Sequence, residues 1–322
     1  MYPLSFVLLV ITAMSVCVPV LAQDYPTKTV RIIMPFPAGG GLDIALRPLL
    51  LKVGESLRQN FVMDFRAGAN GIIGTEIGAK SPPDGYTLIG ATTGTIAIVP
   101  NVYAKLPFDV ARDLMPVTNV GNAPFVMVVH PLLAARNVRD FITLAKRRPN
   151  ELTYGSGGMG GLNHLAAEYF LQQTGTHMIH VPYKGSQPLI ADLVGGHVIM
   201  GIDAIMTTVP QIRAGRLRAL GIAATKRSAI APEIPTLAEV GGPAIIIGAW
   251  YGLLAPIGTP REIVSKLQSE IAKALAIPEV RERYLSGGLD PVGSSPEQFA
   301  AEIRDDMARW GKVARNANVR AD

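Results

Sequence analysis

Short apolar runs rich in β-branched residues alternate along the chain with longer stretches in which apolar residues recur every three or four positions. This alternation indicates an α/β protein with mostly parallel sheets, because each strand is followed by a helix that covers it. The predicted strands are residues 30–34, 61–65, 86–90, 125–129, 152–154, 180–183, 198–203 and 217–224. The predicted helices are residues 43–57, 75–80, 137–148, 164–173, 187–194, 260–274 and 296–313, with a further helix opening at 233–237.

Two of the strand–loop–helix units contain an unusually glycine-rich loop. The first loop is residues 35–41, with the sequence PFPAGGG, and the second is residues 155–161, with the sequence GSGGMGG. Loops of this kind expose main-chain N–H groups next to a helix N-terminus, which makes them suitable for binding an anion. We expect the two loops to face one another at the carboxyl ends of two sheets, where open α/β folds bind their ligands.

Asp43 and Ser156 are the polar side chains of these loops for which more than one role is open. Asp43 either caps the first helix or meets a cationic group of the ligand, in which case an amino acid or a hydroxyl-bearing acid is favoured over a bare dicarboxylate. Ser156 donates a hydrogen bond to a ligand carboxylate, caps the following helix, or acts as a nucleophile. The favoured roles are the cap for Asp43 and the donor for Ser156.

Cofactor and metal chemistry find little support in the sequence. The second loop satisfies the G-x-G-x-x-G pattern of dinucleotide-binding proteins, but between Glu168 and Asp192 no acidic residue follows to hold a ribose. His177 and His180 are spaced to lie on opposite faces of a strand, and the other histidines are isolated. We therefore predict neither a cofactor nor a metal site.

The length of the chain and the composition of its first residues predict two lobes and a secretory signal. A chain of 322 residues exceeds what one hydrophobic core usually supports, so two lobes are expected. Residues 1–22 contain an apolar run followed by small residues and no charged side chain, which predicts a cleaved secretory signal and a periplasmic protein. Cys17, the single cysteine, would be removed with it.

The charge of the chain gives no sign of a nucleic-acid partner. The net charge is +5, and the basic residues are scattered along the sequence without interleaved aromatic residues, so no nucleic-acid partner is expected.

Several motifs along the chain together resemble the extracytoplasmic receptors of tripartite tricarboxylate transporters, the Bug family. The resemblance covers nearly the whole chain after residue 22. Besides the first glycine loop with Asp43, its signatures are GANG at residues 68–71, PDGYTL at 83–88, YGS at 154–156 with His164, VPYKG at 181–185, PTLAE at 235–239 and AP-x-GTP at 255–260.

This resemblance implies a periplasmic-binding-protein fold of the second type, with two lobes, mixed and mostly parallel sheets, and a ligand cleft between the lobes. Lobe 1 is predicted to comprise residues 23–125 and 224–322, and lobe 2 residues 126–223. The implied ligand contacts come from both glycine loops, with Asp43 at the position that meets an amino group and with three residues nearer the rim. The predicted site residues are Phe36, Pro37, Ala38, Gly39, Gly40, Asp43, Ser156, Gly157, Gly158, Gly160, Tyr183, Lys184 and Asp203.

The function implied by the resemblance is capture rather than catalysis. The receptor, a monomer, is expected to bind a small organic carboxylate, namely a dicarboxylate, a tricarboxylate or an acidic amino acid, and to hand it to a membrane permease of the tripartite tricarboxylate transporter type. Two alternatives stay open at this point. One is a sensor whose closed form engages a signalling ectodomain, and the other is a serine hydrolase using Ser156.

Overall fold

The computed structural model describes residues 25–316 and 318–321, so the predicted signal at residues 1–22, with Cys17, lies outside the described part of the chain. Within these residues, none of the helices combines the length and the apolar character that a membrane crossing requires. The predicted lobes can therefore be compared with the structure from Tyr25 onwards.

The described residues form ten strands and a series of helices. The strands are β1 (Val30–Met34), β2 (Phe61–Phe65), β3 (Thr87–Thr92), β4 (Leu114–Val129), β5 (Thr153–Ser156), β6 (Ile179–Pro182), β7 (Met200–Ala204), β8 (Arg218–Ile222), β9 (Gly248–Pro256) and β10 (Asp290–Pro291). The helices are α1 (Gly41–Leu57), α2 (Ile72–Ala79), α3 (Val99–Val102), α4 (Val110–Asp113), α5 (Val138–Arg147), α6 (Leu162–Thr174), α7 (Ser186–Gly195), α8 (Ile205–Arg213), α9 (Arg261–Ala276), α10 (Pro278–Ser286) and α11 (Pro296–Asn316).

Strand pairing divides these elements between two mixed sheets that share β4. The strand order is β2-β1-β3-β9-β4-β7-β5-β6, and β8 and β10 also pair with β4. The outer pairs β1–β2, β1–β3, β5–β6 and β5–β7 are parallel, whereas β9 and β4 run antiparallel to their neighbours. Parallel outer strands with connecting helices leave their carboxyl ends, and the loops that follow them, at the same edge of each sheet.

The chain passes between the two sheets at β4 and again between β8 and β9. Residues 114–124 of β4 pair with β9 in the first sheet, and residues 125–129 pair with β7 and β8 in the second. At this change of partner, the N–H of Ala223 donates to the carbonyl of Phe125, and the N–H of Phe125 donates to the carbonyl of Ile247. The change of sheet next to Phe125 and Ala223 supports the proposed division into lobes, which remains a prediction.

The core follows from the apolar runs. Ile32, Ile33 and Leu88 on β1 and β3 are fully buried, and so are Val126 to Val129 on β4. Continuous apolar runs of this kind are typical of strands covered on both faces. The predicted first strand–loop–helix unit is found, with α1 beginning two residues earlier than expected, at Gly41.

The structure contains elements that the pattern does not predict, namely α3, α4, α10, β10, residues 114–124 of β4 and the whole of β9. Strand β9 had received no assignment, yet it lies between β3 and β4 in the middle of the first sheet. The helix predicted to open at 233–237 is wrong. Thr236 and Glu239 form reciprocal hydrogen bonds, from the Thr236 N–H to the Glu239 carboxylate and from the Glu239 N–H to the Thr236 hydroxyl. Such a capping box starts a helix only if the chain can continue, and here Gly241-Gly242-Pro243 follow.

Candidate ligand-binding site

A cavity of about 60 Å³ lies where the two glycine loops approach each other. Since one water-sized sphere needs about 10–15 Å³, the space holds roughly four to six of them, or a small organic molecule. Both predicted lobes contribute to its wall. The lining residues are Phe36, Pro37, Gly40, Gly41, Leu42, Asn70, Thr92, Gly94, Phe125, Gly157, Leu162, Asn163, Gly185, Ser186, Asp203, Ala249 and Tyr251.

Three helices begin at this cavity. Gly41 of α1, Leu162 of α6 and Ser186 of α7 are first helical residues, and all three line the wall. Their N-cap residues are glycines that make no side-chain cap hydrogen bond, namely Gly40, Gly161 and Gly185. The first-turn N–H groups of a helix have no partner within the helix, and the helix dipole places partial positive charge there. The cavity is therefore electrostatically suited to an anion without any cationic side chain.

The two sides of the cleft touch each other at the loops. The Gln187 side-chain amide donates to the carbonyl of Gly39, which joins α7 to the first loop. On the other side, a Cβ atom added at Gly158 would lie 2.9 Å from Asn70 Oδ1. These contacts bring Gly39 and Gly158 to the same cleft.

The predicted site residues fall into two groups in this geometry. Five of them line the cavity: Phe36, Pro37, Gly40, Gly157 and Asp203. The remaining eight lie outside its lining. Among these, Ala38 and Lys184 are exposed, Tyr183 donates its hydroxyl hydrogen to Asp192, and Gly160 donates its N–H to His164 Nδ1.

Asp43 lies at the third position of α1 and faces away from the cavity lining. Its Oδ2 accepts the N–H of Gly39 at 2.7 Å, and its Oδ1 lies 2.7 Å from Arg47 Nη2. The carboxylate thereby holds the first glycine loop against the start of the helix, although the N-cap position itself belongs to Gly40. The prediction that Asp43 is the cap of the helix is therefore wrong, and its contacts with Gly39 and Arg47 give it a structural role of another kind.

We expect Asp43→Ala to weaken the binding of an amino acid and of a plain dicarboxylate by the same factor. Loss of the hydrogen bond from the Gly39 N–H to the Asp43 carboxylate should lower the free energy of unfolding by about 1.5–3 kcal/mol. Urea unfolding and calorimetric titration of the variant with both ligands measure the two effects. A loss confined to the amino acid would instead place Asp43 in contact with the ligand.

The second glycine loop is supported from behind by a stack of aromatic rings. Ser156 is fully buried, and its Oγ lies 2.7 Å from His180 Nε2 and accepts the N–H of Gly158 at 3.2 Å. The ring of His180 stacks on that of His164 with 3.9 Å between centroids, and the Tyr154 ring lies nearly parallel to both, 4.9 Å from His180 and 6.3 Å from His164. The Ser156–His180 hydrogen bond thus fixes the shape of the loop. Ser156 is not among the residues that line the cavity.

Asp203 is the one acidic side chain of the cavity wall. It lies in β7 and is 1 % exposed, and burial raises the pKa of its carboxyl to about 6. Its Oδ1 accepts hydrogen bonds from the Ser186 hydroxyl at 3.0 Å and from the Ala204 N–H at 2.6 Å. Nearby Asn163 and Thr207 favour the charged form, but they donate to the carbonyls of Ile202 and Ala204. Oδ2 is left without a hydrogen-bond partner among the described residues.

Several lining residues had not been singled out from the sequence: Asn70, Thr92, Asn163, Ser186 and Tyr251. Asn70 and Ser186 lie in or next to the motifs GANG and VPYKG, so the motifs carried a signal for them. Asn70 adopts φ 51°, a left-handed conformation that asparagine tolerates better than most residues. Tyr251 belongs to β9, and its contribution depends on a strand that had not been assigned.

Comparisons with known proteins identify relatives over nearly the whole chain. The family model for the tripartite tricarboxylate transporter family receptor matches residues 45–319. Protein BugT of Bordetella pertussis is 36% identical over 311 residues, covering 96% of this chain and 95% of BugT.

Solved structures are similar over almost the same length. R. palustris Rpa4515 with adipate matches with a TM-score of 0.90 and 36% identity, covering 92% of this chain and 99% of that one. MatC (Rpa3494) from Rhodopseudomonas palustris with bound malate matches with a TM-score of 0.86 and 29% identity, covering 90% of this chain and 99% of MatC.

Proposed function

The chain belongs to the receptor family of the tripartite tricarboxylate transporters, and we propose that it captures a small organic carboxylate in the cleft and delivers it to a membrane permease of that transporter type. Its fold is the periplasmic-binding-protein fold. Members of the family are substrate-binding receptors and not enzymes. The chain is therefore a solute receptor, and the proposal concerns its ligand, its partner and its site.

The convergence of three glycine-capped helix N-termini on one cavity carries the proposal for the ligand. Helices α1, α6 and α7 come from both predicted lobes, and their free N–H groups suit a carboxylate whose charge is shared among several donors. Closure of the lobes would add donors from the second side and remove the bound group from water. The two similar structures contain adipate and malate, which are both small dicarboxylates.

The proposed contacts are the main chain of the first loop around Phe36, Pro37 and Gly40, and Gly157 in the second loop, with Asp203 beside them. Ser156, Gly158 and Gly160 are proposed to hold the second loop in shape rather than to contact the ligand. The proposed location is the periplasm, reached through the signal predicted at residues 1–22. A closed, ligand-loaded receptor is the form that a permease would recognise.

We expect at least one small carboxylate to raise the unfolding temperature of the protein after co-purified ligand has been removed by unfolding and refolding. A ligand present at a hundredfold excess over its Kd stabilises the folded state by about 2.7 kcal/mol. Differential scanning fluorimetry against monocarboxylates, dicarboxylates, tricarboxylates and amino acids measures this, and mass spectrometry of the released material gives independent candidates.

The matched control is the same carbon skeleton with each carboxylate replaced by an amide, such as succinamide beside succinate. The amide offers no negative charge to the helix N-termini, so it should leave the unfolding temperature unchanged. Absence of stabilisation by every acid of the panel, or equal stabilisation by the amides, would contradict carboxylate capture.

A further inference from the structure

Charge is distributed unequally over the wall of the cavity. The described residues that line it include no lysine, arginine or histidine, whereas Asp203 is buried in the wall and its Oδ2 has no hydrogen-bond partner among them. A carboxylate held only by N–H groups on one side would meet this acidic group on the other. The ligand therefore has to present something to Asp203 that a plain carboxylate lacks.

A second unpaired polar atom lies in the opposite lobe. The Asn70 amide nitrogen, Nδ2, is buried and has no hydrogen-bond partner among the described residues. The same side chain lies against the second loop, since a Cβ atom at Gly161 would be 2.8 Å from Asn70 Oδ1. One unpaired donor and one unpaired acceptor thus line the same cavity. Buried polar atoms are rarely left unpaired in folded proteins, because each loses its hydrogen bonds to water.

On the basis of the carboxylate-binding function proposed above, we propose that the ligand is a small zwitterionic acid whose carboxylate is held by the helix N-termini and Asn70 and whose ammonium group pairs with Asp203. An ammonium group supplies both the hydrogen bond and the positive charge that Asp203 requires. A hydroxyl group supplies only the hydrogen bond, and a second carboxylate supplies neither.

The Ser186 and Ala204 hydrogen bonds to Oδ1 define how Asp203 would act. They occupy Oδ1 and fix the carboxyl group in one orientation, so that Oδ2 is the atom left to pair with a ligand. In Asp203→Asn the side-chain oxygen would keep these two bonds and the NH2 group would replace Oδ2. The substitution would turn an acceptor for ammonium into a donor for carboxylate, at nearly constant volume.

The test uses two sets of acids that share a carbon skeleton and differ only at one substituent: alanine, lactate and propionate, and aspartate, malate and succinate. In calorimetric titrations of the wild-type protein we expect the amino acid of a set to bind at least tenfold more tightly than the hydroxy acid, with the bare acid weakest. Asp203→Asn should weaken amino-acid binding by at least thirtyfold and strengthen binding of the bare acid. Asp305→Asn, the same change at an exposed position of α11, is the control.

Equal affinity for amino acid and bare acid in the wild-type protein would overturn the proposal, and so would an equal loss for all three acids in Asp203→Asn. The wild-type comparison stands even if the variant does not fold. Tight binding of succinate without binding of aspartate would leave the receptor function intact and remove only this inference. Failure of every acid to bind would instead count against carboxylate capture itself.

Discussion

Alanine at Gly158 should weaken ligand binding by about 10- to 100-fold while the protein remains folded. The added Cβ atom would lie 2.9 Å from Asn70 Oδ1, closer than real Cβ contacts, and 3.3 Å from Asn70 Cβ, so Asn70 would have to move, and the φ of 151° at Gly158 adds backbone strain. Because Gly158 and Asn70 belong to opposite predicted lobes, we expect this clash only when those lobes come together. Overpacking of this kind costs about 1–3 kcal/mol, and each 1.4 kcal/mol is tenfold in affinity.

Gly175→Ala is the matched control for this substitution. Gly175 also has a positive φ and also lies in the predicted second lobe, but a Cβ atom there would meet nothing within 4 Å. The Gly175→Ala variant should be somewhat less stable than the wild type because of backbone strain, and it should bind the ligand with wild-type affinity. Calorimetric titration with the strongest ligand of the panel, together with small-angle scattering of the free and loaded protein, separates the two effects. Wild-type affinity in Gly158→Ala would show that closure does not bring these residues together.

The parts of the fold that could be predicted are those in which local chemistry and tertiary packing agree. Strand β1 is apolar except for Arg31 and rich in β-branched residues, and the prolines and glycines after it cannot continue either a strand or a helix. Strand β9 shows why the rest was harder. It is almost entirely buried and apolar, and such a run without alternation does not distinguish a strand from a buried helix.

The candidate site also has features that could be predicted from the sequence and features that could not. The glycine loops could be recognised because glycine before a helix has a direct physical consequence, namely exposed N–H groups. The respective roles of Asp43 and Asp203 could not be assigned from the sequence, because both are acidic residues beside a predicted ligand loop. Only the packing shows that Asp43 accepts the Gly39 N–H through Oδ2 and forms an ion pair with Arg47 through Oδ1, whereas Asp203 Oδ2 has no hydrogen-bond partner among the described residues.

Acidification should destabilise this protein through the two stacked histidines behind the second loop. Burial lowers the pKa of His180 to about 4, and burial together with the neighbouring His180 lowers the pKa of His164 to about 3. Hydrogen bonding agrees with a neutral His164, because its Nδ1 accepts the N–H of Gly160 at 3.0 Å and a protonated ring has no acceptor there. Glu168, 3.9 Å from His164 Nε2, is the nearby anion that favours protonation, and burial outweighs it.

The direction of the effect follows from proton binding in the two states. In the unfolded chain both histidines take up protons below about pH 6.5, whereas in the folded protein they do so only near pH 4 and below. Stability is therefore highest above about pH 6.5 and falls as the pH drops through this window, by about 2 kcal/mol per histidine between pH 7 and pH 5. Asp203 acts in the opposite sense. Because its pKa is raised, the folded state takes up a proton near pH 6, and this stabilises the folded state by about 1 kcal/mol between pH 7 and pH 5.

The expected net result is a loss of about 2–3 kcal/mol in the free energy of unfolding between pH 7 and pH 5. Urea unfolding followed by the fluorescence of Trp250 and Trp310 measures it. The double variant His164→Gln, His180→Gln should abolish or reverse the pH dependence, since only the opposing contribution of Asp203 remains. His197→Gln, at an exposed histidine, should keep the wild-type slope. The same slope in the double variant as in the wild type would mean that these two rings are not held neutral by the fold.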